Sequence, residues 1–422
     1  MKTLTRHSKC LFTVVALFCL CIHPLHTSAQ IIEAGYGKGE VLKFDQWLNK
    51  EGGLKQQEAQ SFRLGYIYQT HADENCVYAA DYNYPTFTFG LLVADFNKVR
   101  LRYNPHGTRP ITYDSRCGTS YVAYASFRRA FFRTRSGWSA DYTLGNGIGY
   151  NTHIYNRFTN VDNVLFGSRL SVYFNLAFAL NYRYRQCEFY VGPEFHHLSN
   201  GGMMRPNKGI NKLGIATGMR YYLQPYDSIS FDRTRATFKE KRLYLNIAYG
   251  SGIRGSQGEW LYDANTYIWH KNDVENVKYG KDGYRTCYYH LVSTDLMYRY
   301  ARRYASGIGL DILYEPYNCD VEVQKSGDRP EEVKWSFGIA AKHEVYFRRI
   351  SMQIALGWYL SRPFNDYSNT ADEYPFYERV GLRYNLPVLN NCISVGYNIY
   401  AHTTKAYGTE LVVDFKLPSA KR

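Results

Sequence analysis

Past residue 29, the 422-residue chain holds no apolar run long enough to cross a bilayer as a helix, which excludes a helical membrane protein. It also has no Pro/Ser-rich linker, no charge block and no low-complexity stretch, so nothing in its composition divides it. Of nine cysteines, Cys10, Cys19 and Cys21 fall in the N-terminal leader. The other six, Cys76, Cys117, Cys187, Cys287, Cys319 and Cys392, form neither a CxxC pair nor a close-spaced framework, so neither a disulfide scaffold nor a metal cluster is indicated. Acidic residues are fewer than basic ones, 37 against 51, giving a formal net charge of +14. Such an excess favours anionic partners, although lumen lining and solvated loops account for most of it. Nothing in the pattern calls for nucleic acid or a cofactor.

The leader has the form of a signal peptide. Lys2, Arg6 and Lys9 make a basic start, Cys10 to Ile22 is a short apolar run, and Thr27–Ser28–Ala29 supplies small residues for cleavage before Gln30. No lipobox precedes Cys19 or Cys21, so no lipid anchor is expected. Residues 1–29 are therefore set aside as a cleaved segment, and the remaining chain is exported.

What is abundant is aromatic: 42 Tyr and 23 Phe, in a chain whose mean hydropathy is −0.43. A polar average, many aromatics and alternating segments together describe a transmembrane β-barrel, with one strand face on lipid, one on a polar lumen, and aromatic girdles at the interfaces. The alternation is plain in 169–182, where Leu170, Val172, Phe174, Leu176, Phe178 and Leu180 share one face and Ser171, Asn175, Ala177, Ala179 and Asn181 the other. Leu243, Leu245, Ile247 and Tyr249 repeat the pattern, as do Trp335, Phe337 and Ile339, and then Met352 to Leu360. Further candidates bring the count to about 16, and the even-number rule leaves 14 or 16 strands. The expected fold is all-β: a single antiparallel outer-membrane barrel over residues 30–422. A tandem of two eight-stranded barrels fits the length, but no linker favours it. Polar stretches at 100–116, 225–240, 253–283 and 316–333 read as extracellular loops.

The sharpest chemical feature is Phe195–His196–His197–Leu198–Ser199–Asn200–Gly201–Gly202, followed by Pro206–Asn207–Lys208–Gly209–Ile210–Asn211. In a strand, residues i and i+2 share a face and their Cα atoms lie roughly 6.5–7 Å apart. His197 is thus placed to act as base to Ser199. Odd positions of this strand (Cys187, Phe189, Val191, Phe195) are apolar and even ones (Glu188, Tyr190, Glu194, His196) polar, so His197 and Ser199 are expected on the lipid side. In the next strand Leu213, Ile215 and Met219 mark the same side and bring Asn211 with them. Counting places 186–199 seventh, running outward, so the pair is expected near the outer leaflet. Asn200, Asn207 or backbone N–H groups of the glycine-rich loop supply donors for a tetrahedral oxyanion, and no metal is required. A lipid-facing site calls for a lipid-embedded ester.

These residues resemble the signature of outer-membrane lipid A 3-O-deacylases, the PagL-type or acyloxyacyl-hydrolase-like proteins: His-x-Ser-Asn, a short loop, then Asn-x-Gly-x-Glu. The resemblance covers about residues 186–224. It implies a serine esterase acting on lipid A of lipopolysaccharide in the outer leaflet, with His197 as base, Ser199 as nucleophile and Asn207 on the oxyanion. The chain departs from the pattern twice. Asn211 stands where the family has an acid, and it can orient the ring only through its amide oxygen. Outer-membrane phospholipases, which use Asn there, have a different residue order and depend on calcium. The chain is also more than twice as long as simple members, and the motif closes only the first eight strands. A non-catalytic pore or structural barrel and a phospholipase are the alternatives. Elsewhere, His402 with Glu410 and His196 with Glu194 read as lumenal network residues, Gly145 to Gly149 as a closely packed strand, and Arg205 and Lys208 as either loop residues or contacts to lipid A phosphates.

Overall fold

A computed structural model describes residues 30–44, 53–72, 76–101, 115–156, 159–160, 162–226, 231, 238–239, 241–255, 286–318, 331–363, 375–402 and 405–418. The expected signal segment 1–29 and most of the connections expected at 100–116, 253–283 and 316–333 lie outside the described residues. The strands are β1 (Gln30–Val41), β2 (Leu54–Gln56), β3 (Glu58–Gln69), β4 (Thr86–Leu101), β5 (Ser115–Arg133), β6 (Trp138–Asn151), β7 (Leu170–Tyr184), β8 (Cys187–Ser199) and β9 (Ile210–Tyr222). They continue with β10 (Arg242–Gly255), β11 (Thr286–Arg299), β12 (Tyr304–Tyr314), β13 (Trp335–Phe347), β14 (Ile350–Ser361), β15 (Phe376–Asn385), β16 (Ile393–His402) and β17 (Lys405–Pro418).

All pairings are antiparallel, and they close twice. β9 returns to β1, with Ile31 opposite Tyr222, completing a ring of β1 and β3 to β9, while the short β2 pairs at the end of β4. β10 pairs with β17, Ile247 opposite Phe415, completing a second ring of β10 to β17. The single barrel expected over 30–422 is therefore corrected to two barrels of eight long strands. Alternation specifies which face of a strand is buried, and thereby its register parity, but not which strand it closes against. The stretch 225–240, most of which lies outside the described residues, joins β9 of the first ring to β10 of the second. It follows the end of β9, opposite the end where β8 meets β9, and its described residues pack on short-turn cations there, Arg183 over Tyr226 at 3.4 Å and Arg133 over Phe231 at 4.9 Å.

Face assignment follows the period of two. Leu170, Phe174, Phe178, Leu180, Leu243, Tyr249, Trp335, Leu356 and Trp358 are exposed, whereas Ser171, Asn175, Asn181, Asn246, Ser336 and Lys342 are buried inside. Eight-stranded barrels are just wide enough for side chains to fill. The first is filled by ion pairs: Arg128 and Arg220 both reach Glu188, at 2.9 and 2.8 Å, and Arg63 and Lys212 both reach Glu194. In the second, Asp311 accepts from Arg379 at 2.6 Å and lies 3.2 Å from Lys342, and Arg383 meets Asp414 at 2.6 Å. Small residues make room for these groups: a Cβ at Gly309 would sit 2.1 Å from Asp295 Oδ1. At the end of the first barrel where β8 meets β9, Val164, Leu165 and Phe166 of the β6–β7 connection fold into an apolar cluster with Phe96, Leu198 and Ile210.

The barrels touch at both ends. Away from the β8–β9 loop, a short helix α1 (Val77–Asp81) and the turn after it meet β13 and the β12 entry. Tyr82 Oη donates to Tyr346 O at 3.0 Å, Arg302 pairs with Asp81 at 2.9 Å, and the Phe87 and Phe347 rings lie 4.8 Å apart. Nearer the other end, Tyr397 Oη of β16 donates to Asn146 Oδ1 of β6 at 2.5 Å.

Candidate active site

β8 and β9 pair so that His197 stands directly opposite Asn211, with Phe174 and then Asn146 continuing the same rung across β7 and β6. Cross-strand partners have Cβ atoms about 4.5–5.5 Å apart, within reach of an imidazole and an amide. His197 Nδ1 lies 2.7 Å from Asn211 Oδ1, and Nε2 lies 2.8 Å from Ser199 Oγ. An amide oxygen only accepts, so Nδ1 carries the proton and Nε2 is left to accept from the serine hydroxyl. The three side chains share the face of Phe189, Val191, Leu213 and Ile215, which are exposed; His197 is half-buried and Ser199 is 5 % exposed.

The loop after Ser199 is organised by its own amides. Asn200 N–H donates to Asn207 Oδ1 at 2.9 Å, Asn200 Nδ2 donates to Met204 O at 3.0 Å, and Asn200 Oδ1 accepts from Gly202 N–H at 3.1 Å. The Asn200 side chain is thus engaged within the loop as a brace. Two donors of this loop are left over. Asn207 Nδ2 is buried with no partner, and Gly201 N–H makes no hydrogen bond among the described residues. Orphaned buried donors are costly and uncommon. Gly209, at φ +70°, is tightly enclosed, since a Cβ would lie 3.0 Å from both His197 Cε1 and Ser199 Cβ.

Sequence reasoning named the backbone N–H groups of the glycine-rich loop without choosing Gly201, and it did not anticipate the close approach of Gly209. The Gly-Gly pair and the isolated glycine before Ile210 were the available signals, because both mark positions that favour positive φ. The other constellations resolve as lumenal structure. His402 Nε2 contacts Tyr359 Oη at 2.6 Å and Tyr400 Oη at 3.0 Å, while Glu410 accepts from Arg379 and Asn398 at 3.1 and 2.8 Å, so the two are not a pair. His196 Nε2 lies 3.1 Å from Glu194 inside the first barrel. Arg205 is buried, with its guanidinium on carbonyls of the second barrel rather than on a lipid surface. Among the described residues no cluster of His, Cys, Asp or Glu forms a metal site.

Residues 77–220, which contain this site, match the lipid A 3-O-deacylase (PagL) family, and residues 260–419 match the acyloxyacyl hydrolase C-terminal domain. No curated protein matches the chain. Among solved structures, a triple mutant of the Rhodopseudomonas blastica porin is 7% identical and covers 93% of this chain and 100% of its own, with a TM-score of 0.16. An outer membrane channel from Pseudomonas putida F1 is 9% identical, covering 93% and 96% with a TM-score of 0.22, and Salmonella typhi OmpF is 10% identical, covering 92% and 96% with a TM-score of 0.17. Superpositions at that level carry no structural argument. The fold is that of an outer-membrane β-barrel, and the two family matches, which together take in most of the chain, define an ester hydrolase. The chain belongs to the lipid A 3-O-deacylase family.

Proposed function

We propose that the protein removes an ester-linked acyl chain from lipid A in the outer leaflet, using Ser199 as nucleophile, His197 as general base and Asn211 as the residue that orients the ring. The observation that carries this reading is the continuous hydrogen-bond series Asn211 Oδ1–His197–Ser199 Oγ at 2.7 and 2.8 Å. Ser199 Oγ attacks the ester carbonyl as His197 Nε2 takes its proton, and the tetrahedral oxyanion forms beside Gly201 N–H and Asn207 Nδ2. His197 then returns the proton to the departing sugar alcohol. A water, deprotonated by the same nitrogen, releases the fatty acid from Ser199.

The outer-wall setting is part of the proposal. The neighbours of the site on its own face are Phe174, Leu213 and Ile215, which are exposed and apolar, as a substrate held in lipid requires. The same reading has residues 1–29 cleaved on export, both barrels embedded in the outer membrane, and the β8–β9 loop at the outer surface. A solute pore is disfavoured by the lumens, which are crossed by the Glu188, Glu194 and Asp311 ion pairs. Mass spectrometry of lipid A from cells lacking the protein, expressing it, or expressing Ser199→Ala tests the reading. Loss of one acyl chain with the wild type alone is the expected result. Lipid A unchanged by the wild type, with fatty acid released instead from phospholipid, would make it a phospholipase.

A further inference from the structure

The loop between Ser199 and Asn207 is held from the other barrel. Thr409 Oγ1, near the start of β17, donates to Gly201 O at 3.1 Å. Gly255 N–H, at the end of β10, donates to Gly202 O at 2.8 Å. Arg205 of the loop reaches back, with Nε on Gly255 O at 3.1 Å and Nη2 on Ala406 O at 3.4 Å. The fit is close. A Cβ on Gly201 would lie 2.3 Å from Thr409 Oγ1 and 2.9 Å from Ile399 Cδ1, and one on Gly202 would lie 2.5 Å from the Tyr407 backbone. Both glycines have positive φ, +64° and +84°. On the opposite side the first barrel's own cap holds the loop: Lys208 N–H donates to Val164 O at 3.0 Å and Gly209 N–H to Leu165 O at 3.1 Å.

A peptide unit is planar, so the bond from Thr409 to Gly201 O also sets the direction of Gly202 N–H, which donates to Asn200 Oδ1. Asn200 in turn holds Asn207 Oδ1 through its own N–H, and that fixes where Asn207 Nδ2 points. Two adjacent glycines are the most conformationally permissive pair a chain can offer. Nothing within the first barrel holds their carbonyls among the described residues; both carbonyls are taken by the second.

We propose that the second barrel is part of the catalytic apparatus of the first, with Thr409 and the Gly255 backbone as positioning groups that hold Gly201–Gly202, and through them the two unpartnered donors of this loop, where the oxyanion forms. The inference rests on the deacylase reading above. It gives the C-terminal eight strands a role that the motif alone leaves unassigned: the site is built on one barrel and aimed by the other.

The test uses full-length protein with lipid A in detergent micelles. Thr409→Val removes the hydroxyl at nearly constant volume. It is expected to lower kcat about tenfold, because misplacing a catalytic donor slows chemistry without altering substrate contacts. KM stays within about twofold, heat-modifiable gel mobility stays that of the folded wild type, and Thr409→Ser restores kcat. Should the valine variant lose its folded mobility, Thr409→Ala takes its place, since it removes the same hydroxyl without adding bulk. Unchanged kcat in the folded variant overturns the inference, and so does a loss that Thr409→Ser fails to restore, which traces the effect to packing. A wild type inactive on lipid A ends the deacylase reading and this inference together, whereas an active wild type with an unaffected variant ends the inference alone.

Discussion

Replacing Asn211 separates two jobs that an acid performs together in a serine esterase: orienting the imidazole and stabilising its charge. Asn211 Oδ1 lies 2.7 Å from His197 Nδ1 and does only the first. Asn211→Leu removes the acceptor, so the ring loses its tautomer preference and its tether. Imposing the wrong tautomer in a triad costs about 10⁴ in kcat; releasing the ring without imposing one is a milder fault, for which a fall of about 10² is expected. Asn211→Asp keeps the geometry and adds a charge. At about 4 Å between charge centres and an effective dielectric of about 20, its attraction for the imidazolium is about 4 kcal/mol. Desolvating a carboxylate on this half-buried face offsets most of that. A net gain of about 1.4 kcal/mol corresponds to roughly a tenfold rise in kcat. Both variants are assayed as initial rates of fatty-acid release from lipid A micelles, quantified by mass spectrometry. If Asn211→Leu keeps kcat within about twofold of wild type, His197 is oriented by something else and the assigned triad is wrong. If Asn211→Asp is slower than wild type, the electrostatic half of the reasoning fails and the site works with a neutral partner by design.

Three further perturbations probe the surroundings. Gly209→Ala adds a Cβ 3.0 Å from His197 Cε1 and Ser199 Cβ at a residue with φ +70°; a strain of about 1–3 kcal/mol is expected to displace the pair and cut lipid A hydrolysis more than about tenfold, and full activity would show that the loop yields freely. Glu188→Gln removes the shared partner of Arg128 and Arg220, leaving buried guanidinium charge under-paired; a loss of about 3–5 kcal/mol is expected in urea unfolding from lipid vesicles, and an unshifted unfolding midpoint would count against an ion-pair-filled lumen. Ile215→Arg and Ile247→Arg place a charge on the outer wall of the first and second barrel, at sites 57% and 37% exposed; each is expected to cost about 2–4 kcal/mol if it lies near the bilayer midplane. A penalty at Ile215 alone would mean that only the first barrel spans the membrane.

Local periodicity made the strands legible, and non-local closure hid their grouping. The expected spans 186–199 and 210–224 became 187–199 and 210–222, because two-residue alternation between an apolar outer face and a polar inner face leaves little freedom in type or register. The adjacency of His197, Ser199 and Asn211 was legible for the same reason: i, i+2 spacing and one antiparallel hairpin suffice to derive it. The partition into two barrels was not, since the pairing of Ile31 with Tyr222 leaves no mark on either strand. Nor was the engagement of Asn200 within its loop, nor the turning of Arg205 toward Gly255, which depends on a barrel that begins many residues later. The stretch 225–240 read as a loop because it is polar, and polarity does not tell a surface loop from a connection between two barrels.

The partition also bears on where chemistry can occur. A single barrel of 14 to 16 strands leaves a lumen wide enough for solute, and a site on its outer wall would then be one of two candidate locations for function. Two eight-stranded barrels remove the first location, because their interiors are occupied by Arg128, Arg220, Glu188, Lys342 and Asp311 and their partners. Ordered polar groups that are free to act must then lie on outer faces or in end loops, where an apolar environment penalises them unless they are used. Asn211, His197, Ser199 and the two unpartnered donors after it meet that condition on the first barrel. Thr409 lies outside a lumen for the same reason, with its hydroxyl on Gly201 of the other barrel. The doubling of the fold thus fills both interiors with ion pairs and, on the proposed reading, sets a second rigid wall beside Ser199 from which the loop after it is held.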